Sequence, residues 1–247
     1  MWVATRSTHA RSGLARSGSV EVTTVPLIAP RGQTCDEGNN PMPANSHNRA
    51  QTGLVMVDPY NDMLSEDGKV WPAVKDVAQS IGLHQHLREL LVGARAADVP
   101  VFIAPHRRWR PGDADNWQQL APPFRKLSEA RLFALDNWGG QWHPEFGPQP
   151  GDIVAYEHWG MSGFANTNLD LQLRQHGVEH IILVGMTAIG CVEGTGRHAV
   201  ELGYSVTLVK DATATWNEEA MRAAHEINGP LYATAVLTTD QALDTLK

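Results

Sequence analysis

From residue 53 onward, short apolar runs alternate with amphipathic stretches. The runs cover residues 53–58, 99–104, 152–158, 180–185, 204–209 and 232–237. Each is nearly continuous in apolar residues, as parallel strands covered on both faces require. Between them the spacing turns helical. Over 74–97, Leu83, Leu87, Leu90, Leu91 and Ala94 recur near the helical period. Further helices are predicted over 168–176, with Gly177 as C-cap residue, over 192–202, over 218–227, and at the C-terminus. Six runs separated by helices read as βαβ units. Right-handed crossovers then give a three-layer, doubly wound, mainly parallel six-stranded α/β sheet, Rossmann-like in outline. Residues 105–150 break the rhythm. They are rich in Trp, Pro, Arg and Gly and have little periodicity, which points to a lid or pocket wall.

Ligands of such sheets bind beyond the carboxyl ends of the strands. That rule picks out Asp58, the turn 105–109, residues 156–158, residues 185–191 and Asp211.

Residues 1–50 are of a different kind: Ser, Arg, Thr, Pro, Gly and Asn without apolar periodicity. They are expected to form a disordered extension before a domain at 51–247. An Arg- and Ser-rich transit segment and a start codon placed too early are the alternatives. The 247-residue chain carries a formal charge of −7, which offers no general attraction to nucleic acid or to an anionic membrane. No apolar run approaches the roughly 20 residues that span a bilayer. Its two cysteines, Cys35 and Cys191, lie far apart. No disulfide framework is expected, and a reducing cytoplasm fits.

Cys191 is the strongest chemical candidate. A buried strand runs into a small-residue turn, and a helix opens at about that position. Unpaired N–H groups at a helix start favour negative charge, so a thiol there leans toward thiolate. The same groups could hold an oxyanion. A small buried core thiol is the structural alternative. Asp58 ends the first run before a proline, where it could move protons for that thiol; capping the next turn is its other reading. Asp62 reads as that turn residue, and Asp211 as an organiser of its own loop. Among the eleven histidines, His84-x-His86 and His176-x-x-x-His180 have ligand-like spacing, but no Cys-x-x-Cys accompanies them, and a structural zinc site is not expected. His106 and His143 stand alone beside prolines. Arg107, Arg108 and Arg110 with Trp109 could clamp an anionic or planar substrate, or form a solvated basic loop. Trp138, Trp142 and Trp159 could wall a pocket or pin the long loop. No phosphate-cradling glycine motif follows the first strand.

Together these residues resemble the isochorismatase-like cysteine hydrolase family, which includes nicotinamidases, isochorismatases, carbamoylsarcosine amidases, ureidoacrylate-type amidohydrolases and streptothricin hydrolase. The resemblance runs from about Leu54 to the C-terminus. It rests on Val57-Asp58-Pro59-Tyr60-Asn61-Asp62, Gly151-Asp152-Ile153-Val154, Ser162-Gly163-Phe164-Ala165-Asn166-Thr167 with Leu169, and Gly185 through Cys191. Thr195, Arg197, Ala199, Gly203, Tyr204 and Asp211-Ala212 complete it. The family pattern implies an Asp, Lys and Cys triad, no cofactor, a small-molecule substrate and a homo-oligomer, dimer or tetramer. Asp58 matches the Asp and Cys191 the Cys. A cis peptide is implied at Met186–Thr187, with Gly190 close to the nucleophile. The Lys is replaced. In the family pattern it stands directly before Glu-His-Trp, which here is Tyr156. An alignment without the local insertion places it at His158. Strand alternation puts 156 and 158 on one face, so both are expected to look at the pocket. Trp109 and Trp159 are expected beside the substrate. The activity implied is hydrolysis of an amide, lactam or related C–N bond through a Cys191 thioester. A binding protein that keeps the pocket, and a vinyl-ether hydrolase using Asp58 as acid, are the alternatives.

Overall fold

The computed structural model describes residues 48–247. Most of the extension expected over 1–50, with Cys35, therefore lies outside the described residues. Its last positions begin the folded chain: Asn48 caps a 3-10 turn, Arg49–Gln51, and accepts from the Ala50 N–H.

Six strands form one sheet: β1 (Thr52–Val57), β2 (Val101–Ala104), β3 (Ile153–Val154), β4 (His180–Met186), β5 (Ser205–Ala214) and β6 (Ala235–Leu237). Their order is β3-β2-β1-β4-β5-β6, and every pairing is parallel. β1 and β4 are buried along their whole length. Period-two alternation sends Leu54 and Met56 to one face and Val55 and Val57 to the other. On the first face they meet α1 (Asn61–Leu64), α2 (Trp71–Ser80), α3 (Leu83–Ala96) and α8 (Thr239–Asp244). On the second they meet α5 (Leu169–Gln175) and α6 (Glu193–Glu201). α3 alone buries Leu83, Leu87, Leu90, Leu91 and Ala94. Each of its four leucines is worth roughly 2 kcal/mol of transfer free energy.

Some expectations need correction. The stretch 74–97 is two helices, because Gly82 adopts a left-handed φ of 65° between them. Glycine takes that conformation without penalty. The stretch 218–227 is α7 (Glu218–Arg222) followed by a wider turn through Asn228. The long segment 105–150 contains a helix, α4 (Pro122–Glu129), that buries no residue fully. β5 continues through Asp211, so Asp211 does not follow a strand. Its carboxylate instead accepts from both N–H and hydroxyl of Thr239 and ties β5 to the start of α8.

The order reverses direction between β1 and β4, which both start their crossovers there. That is the switch point where an open α/β sheet leaves a crevice. Gly185 lets the two strand ends close up. Its φ is 112°, and a Cβ there would sit 2.3 Å from the Val57 carbonyl oxygen.

Candidate active site

Asp58 leaves β1 with φ 56°, a left-handed conformation that Asp tolerates better than most residues. Its side chain is fully buried. Across the switch point, β4 ends in a cis Met186–Thr187 peptide, at the place the resemblance implied. A turn over Ala188–Val192 follows and leads into α6. Cys191 sits in that turn, partly buried. Gly190 precedes it with φ −116° and ψ −107°, and a Cβ there would meet Thr187 Oγ1 at 2.7 Å. The N–H groups of Gly190 and Val192 are given to the Thr187 carbonyl. The N–H of Cys191 faces its own sulfur and favours the thiolate.

The third group comes from the edge of the sheet, and it is His158. Phe102 faces Ile153 and Ile103 faces Val154, but His106 faces His158. One extra residue has entered the edge strand between those pairs. A bulge of this kind flips the alternation of every side chain beyond it. Tyr156 therefore points outward and is 69% exposed, while His158 is fully buried. The expectation that both look at the pocket fails for Tyr156, whose backbone N–H is held by Asn168. Backbone bonds fix His158 on both sides: its N–H donates to Pro105 and its carbonyl accepts from Arg107.

The nearest ligand atoms of Asp58, His158 and Cys191 all lie within 4.8 Å of one another. His158 Nε2 is 3.1 Å from Asp58 Oδ1, and its Nδ1 is 2.7 Å from the Gly160 carbonyl. Both partners are acceptors. One proton must therefore lie between Nε2 and Oδ1, since Nδ1–H is committed to Gly160. With a carboxylate on Asp58, the ring is an imidazolium. Asp58 Oδ2 is buried and has no hydrogen-bond partner among the described residues. Burial pushes the Cys191 thiol well above its ordinary range, and the charge and hydrogen bonding of Asp58 push the same way. The sulfur thus rests as a thiol. A carboxylate, an imidazole and a thiol so placed are also a donor set able to share a soft metal ion. The sequence hid it because its members come from three separate strands' ends.

A cavity of about 270 Å³ opens over the sulfur. Asp58, Thr187, Gly190 and Cys191 lie on its floor side, and Met63, Phe124, Leu127, Leu132, Phe133 and Trp216 supply apolar wall. Lys126 of α4 also lines it. The lid is pinned by Asp62, which accepts from the N–H groups of Phe133 and Lys69. Asp62 is thus the turn organiser the sequence suggested.

Other expected residues fall elsewhere. Met186 is a core side chain. Trp109 and Trp159 line a smaller neighbouring cavity of about 50 Å³ that shares His106, Phe124 and Phe133 with the larger one. Arg107 bonds Asp113 and Glu157, and Arg108 bonds Glu157, so neither is a free clamp. Trp142 stacks on Tyr60 at 4.8 Å, and Trp138 is 46% exposed. Phe124, Phe133 and Trp216 were missed. Trp216 lies just past the carboxyl end of β5, and a correct end for that strand would have flagged it.

The Ser162–Thr167 motif is a brace. Gly163 N–H donates to Thr195 Oγ1 of α6 at 2.9 Å, and Ser162 Oγ meets His198 Nδ1 at 2.9 Å. These contacts lock the segment after His158 to the helix after Cys191.

Comparison with known proteins gives a consistent picture. The description "Isochorismatase domain" matches residues 52–241. The ureidoacrylate amidohydrolase RutB of Agrobacterium fabrum is 34% identical over 176 residues, covering 66% of this chain and 76% of that protein. The RutB of Pantoea ananatis is 31% identical over 173 residues, covering 66% and 69%. Among solved structures, a cysteine hydrolase from Pseudomonas syringae pv. phaseolicola superposes with a TM-score of 0.69 at 24% identity, over 81% of this chain and 94% of that one. N-carbamoylsarcosine amidase from Thermoplasma acidophilum gives 0.56 at 24%, over 77% and 97%. At those identities the structures speak for the fold.

Proposed function

The chain belongs to the isochorismatase family and is a hydrolase acting on C–N bonds; within that class we propose that it opens an amide, lactam or ureide carbonyl through a thioester on Cys191. The observation that carries this reading is the arrangement of three groups. A thiol and an unpartnered carboxylate oxygen, Asp58 Oδ2, stand at one cavity floor, and His158 holds the other carboxylate oxygen.

The steps follow from those positions. Asp58 takes the thiol proton as Sγ forms a bond to the substrate carbonyl carbon. The oxyanion gathers at the turn before α6, beside the Cys191 N–H, which favours negative charge there. Asp58 returns its proton to the nitrogen, the C–N bond breaks, and a thioester remains. Water then attacks that carbonyl and loses a proton to Asp58. The thiolate leaves, regains its proton, and an acid is released. Throughout, His158 keeps a positive charge beside Asp58, the task of the Lys in the family pattern. A cavity of about 270 Å³ sits near the lower end of small-ligand pockets, so the substrate is a small molecule. Its apolar wall favours a compact, weakly polar body.

The test is a panel of small amides, ureides and lactams, with intact-mass detection of an acyl adduct. Wild-type protein should turn over at least one compound and carry the adduct on Cys191. Cys191→Ser should lose turnover. If Cys191→Ala keeps activity while Asp58→Ala does not, vinyl-ether hydrolysis by acid catalysis replaces this reading. If both variants merely retain ligand binding and no compound is turned over, the protein is a binder.

A further inference from the structure

His106 is a buried imidazole with one nitrogen unspoken for. It follows β2 at the mouth of the crevice. Its Nδ1 lies 3.0 Å from the Arg107 carbonyl, an acceptor, so Nδ1 carries the ring's proton. Nε2 then presents a lone pair. That atom is buried and has no hydrogen-bond partner among the described residues. A buried acceptor left unmet is destabilising, and one at a cavity wall can be met by a ligand. The residue lines the same cavity as Asp58 and Cys191. Its ring stands edge-on to that of His158, with centroids 5.0 Å apart. Its position is firm: Tyr60 donates its hydroxyl to the His106 carbonyl at 2.9 Å, and Phe133 packs on the ring at 5.5 Å.

Burial and the neighbouring His158 hold the ring neutral by lowering its affinity for a proton. Neutrality keeps Nε2 an acceptor at physiological pH. The other groups facing the cavity divide the recognition differently. Asp58 and Cys191 are committed to the chemistry, Thr187 is a hydroxyl, and Lys126 only donates.

We propose that His106 Nε2 accepts a hydrogen bond from an N–H of the substrate, and so selects carboxamides and ureides bearing N–H over esters and N,N-dialkyl amides of the same shape. The inference rests on Cys191 being the nucleophile, and it adds a substrate-binding residue and a substrate class. It also gives the enzyme a way to reject the intrinsically easier ester. A site built to bond an N–H leaves a buried lone pair stranded when an ester arrives, and discrimination by such polar mismatch is strong.

The test uses two alkylating reagents of matched size, iodoacetamide and methyl iodoacetate, each normalised to its rate with glutathione. Cys191 alkylation is followed by peptide mass mapping, which separates it from Cys35, in wild type, His106→Phe and His106→Gln. In wild type the normalised preference for iodoacetamide should be clear. His106→Phe should lower that preference about five- to a hundredfold, with the methyl iodoacetate rate little changed. His106→Gln keeps a neutral acceptor and should stay within about threefold of wild type. A general disturbance of the site would slow both reagents together, and equal losses overturn the role of His106 while leaving the nucleophile intact. Failure of both reagents to label Cys191 in wild type overturns the thioester reading, and this inference with it.

Discussion

Replacing His158 by Gln tests the central electrostatic idea. Gln keeps an N–H donor for Asp58 and approximates the length of the imidazole, but it carries no charge. The lost contact is a 3.1 Å bond between a fully buried ring and a fully buried carboxylate. Charge-assisted bonds of this kind contribute about 1.5–3 kcal/mol, so kcat/KM should fall about ten- to 150-fold. A second signature has a fixed sign. Asp58 pushes the Cys191 thiol upward through its charge, and His158 offsets that charge. Without the imidazolium the thiol must rise further, so the midpoint of Cys191 alkylation against pH should move up. Tyr156→Phe is the companion. Tyr156 lies outside the cluster and is 69% exposed, so its loss should change kcat/KM by less than about twofold. The assays are kcat/KM on a responsive amide and the alkylation rate across pH, both run below the melting temperature of each variant. The reasoning is refuted if His158→Gln keeps wild-type rates, or if Tyr156→Phe shows the larger loss.

Two further predictions have opposite pH logic. Asp58→Asn removes the charge and the hydrogen bonding that push the thiol up after burial. The alkylation midpoint should therefore move down, against the shift in His158→Gln, while turnover falls at least about a hundredfold; an upward shift would mean that Asp58 does not face the sulfur. In the lid, burial lowers His143 to about 4, with His84 adding to the shift, and the ring stacks on Phe146 at 4.5 Å. The folded state then holds His143 neutral where the unfolded state is protonated. Stability should be full above pH ~6.5 and decline as pH falls toward about 4. His143→Phe should flatten that decline in a series of thermal melts, and an unchanged slope would assign it to other groups.

Much of this molecule was legible in the chain because its strands are buried on both faces. A run such as residues 180–185 leaves little choice: seven buried residues in β4 make a central parallel strand. Asp58 and Cys191 were legible for a related reason. Both sit where such strands stop, and the rule for strand ends in a doubly wound sheet applies to them directly. The lid was not legible. α4 is only 8 residues long and buries none of them fully, so it offers a short pattern to read. Its placement depends on single polar contacts, such as the Asp62 bond to Phe133 N–H, that no period announces.

The failure at Tyr156 is more instructive, because the rule used there was sound. Side chains on a strand do alternate, and residues 156 and 158 would share a face in a regular β3. The edge strand is regular for only two residues. Beyond Val154 the chain gains one residue on its partner, and His106 comes to face His158. A central strand with two neighbours would resist that slip, since two ladders would break at once. An edge strand loses only one. The position that completes this site thus lies where register is cheapest to change. An extra residue there can put a histidine in place of a lysine without moving the Asp58 and Cys191 strands, whose pairing through β1 and β4 stays in register from Thr52 to Val57. The charge beside Asp58 is then a property of bulge and residue together. A histidine at 158 without the bulge would face outward, and the bulge with an apolar residue at 158 would leave a buried carboxylate unpaired.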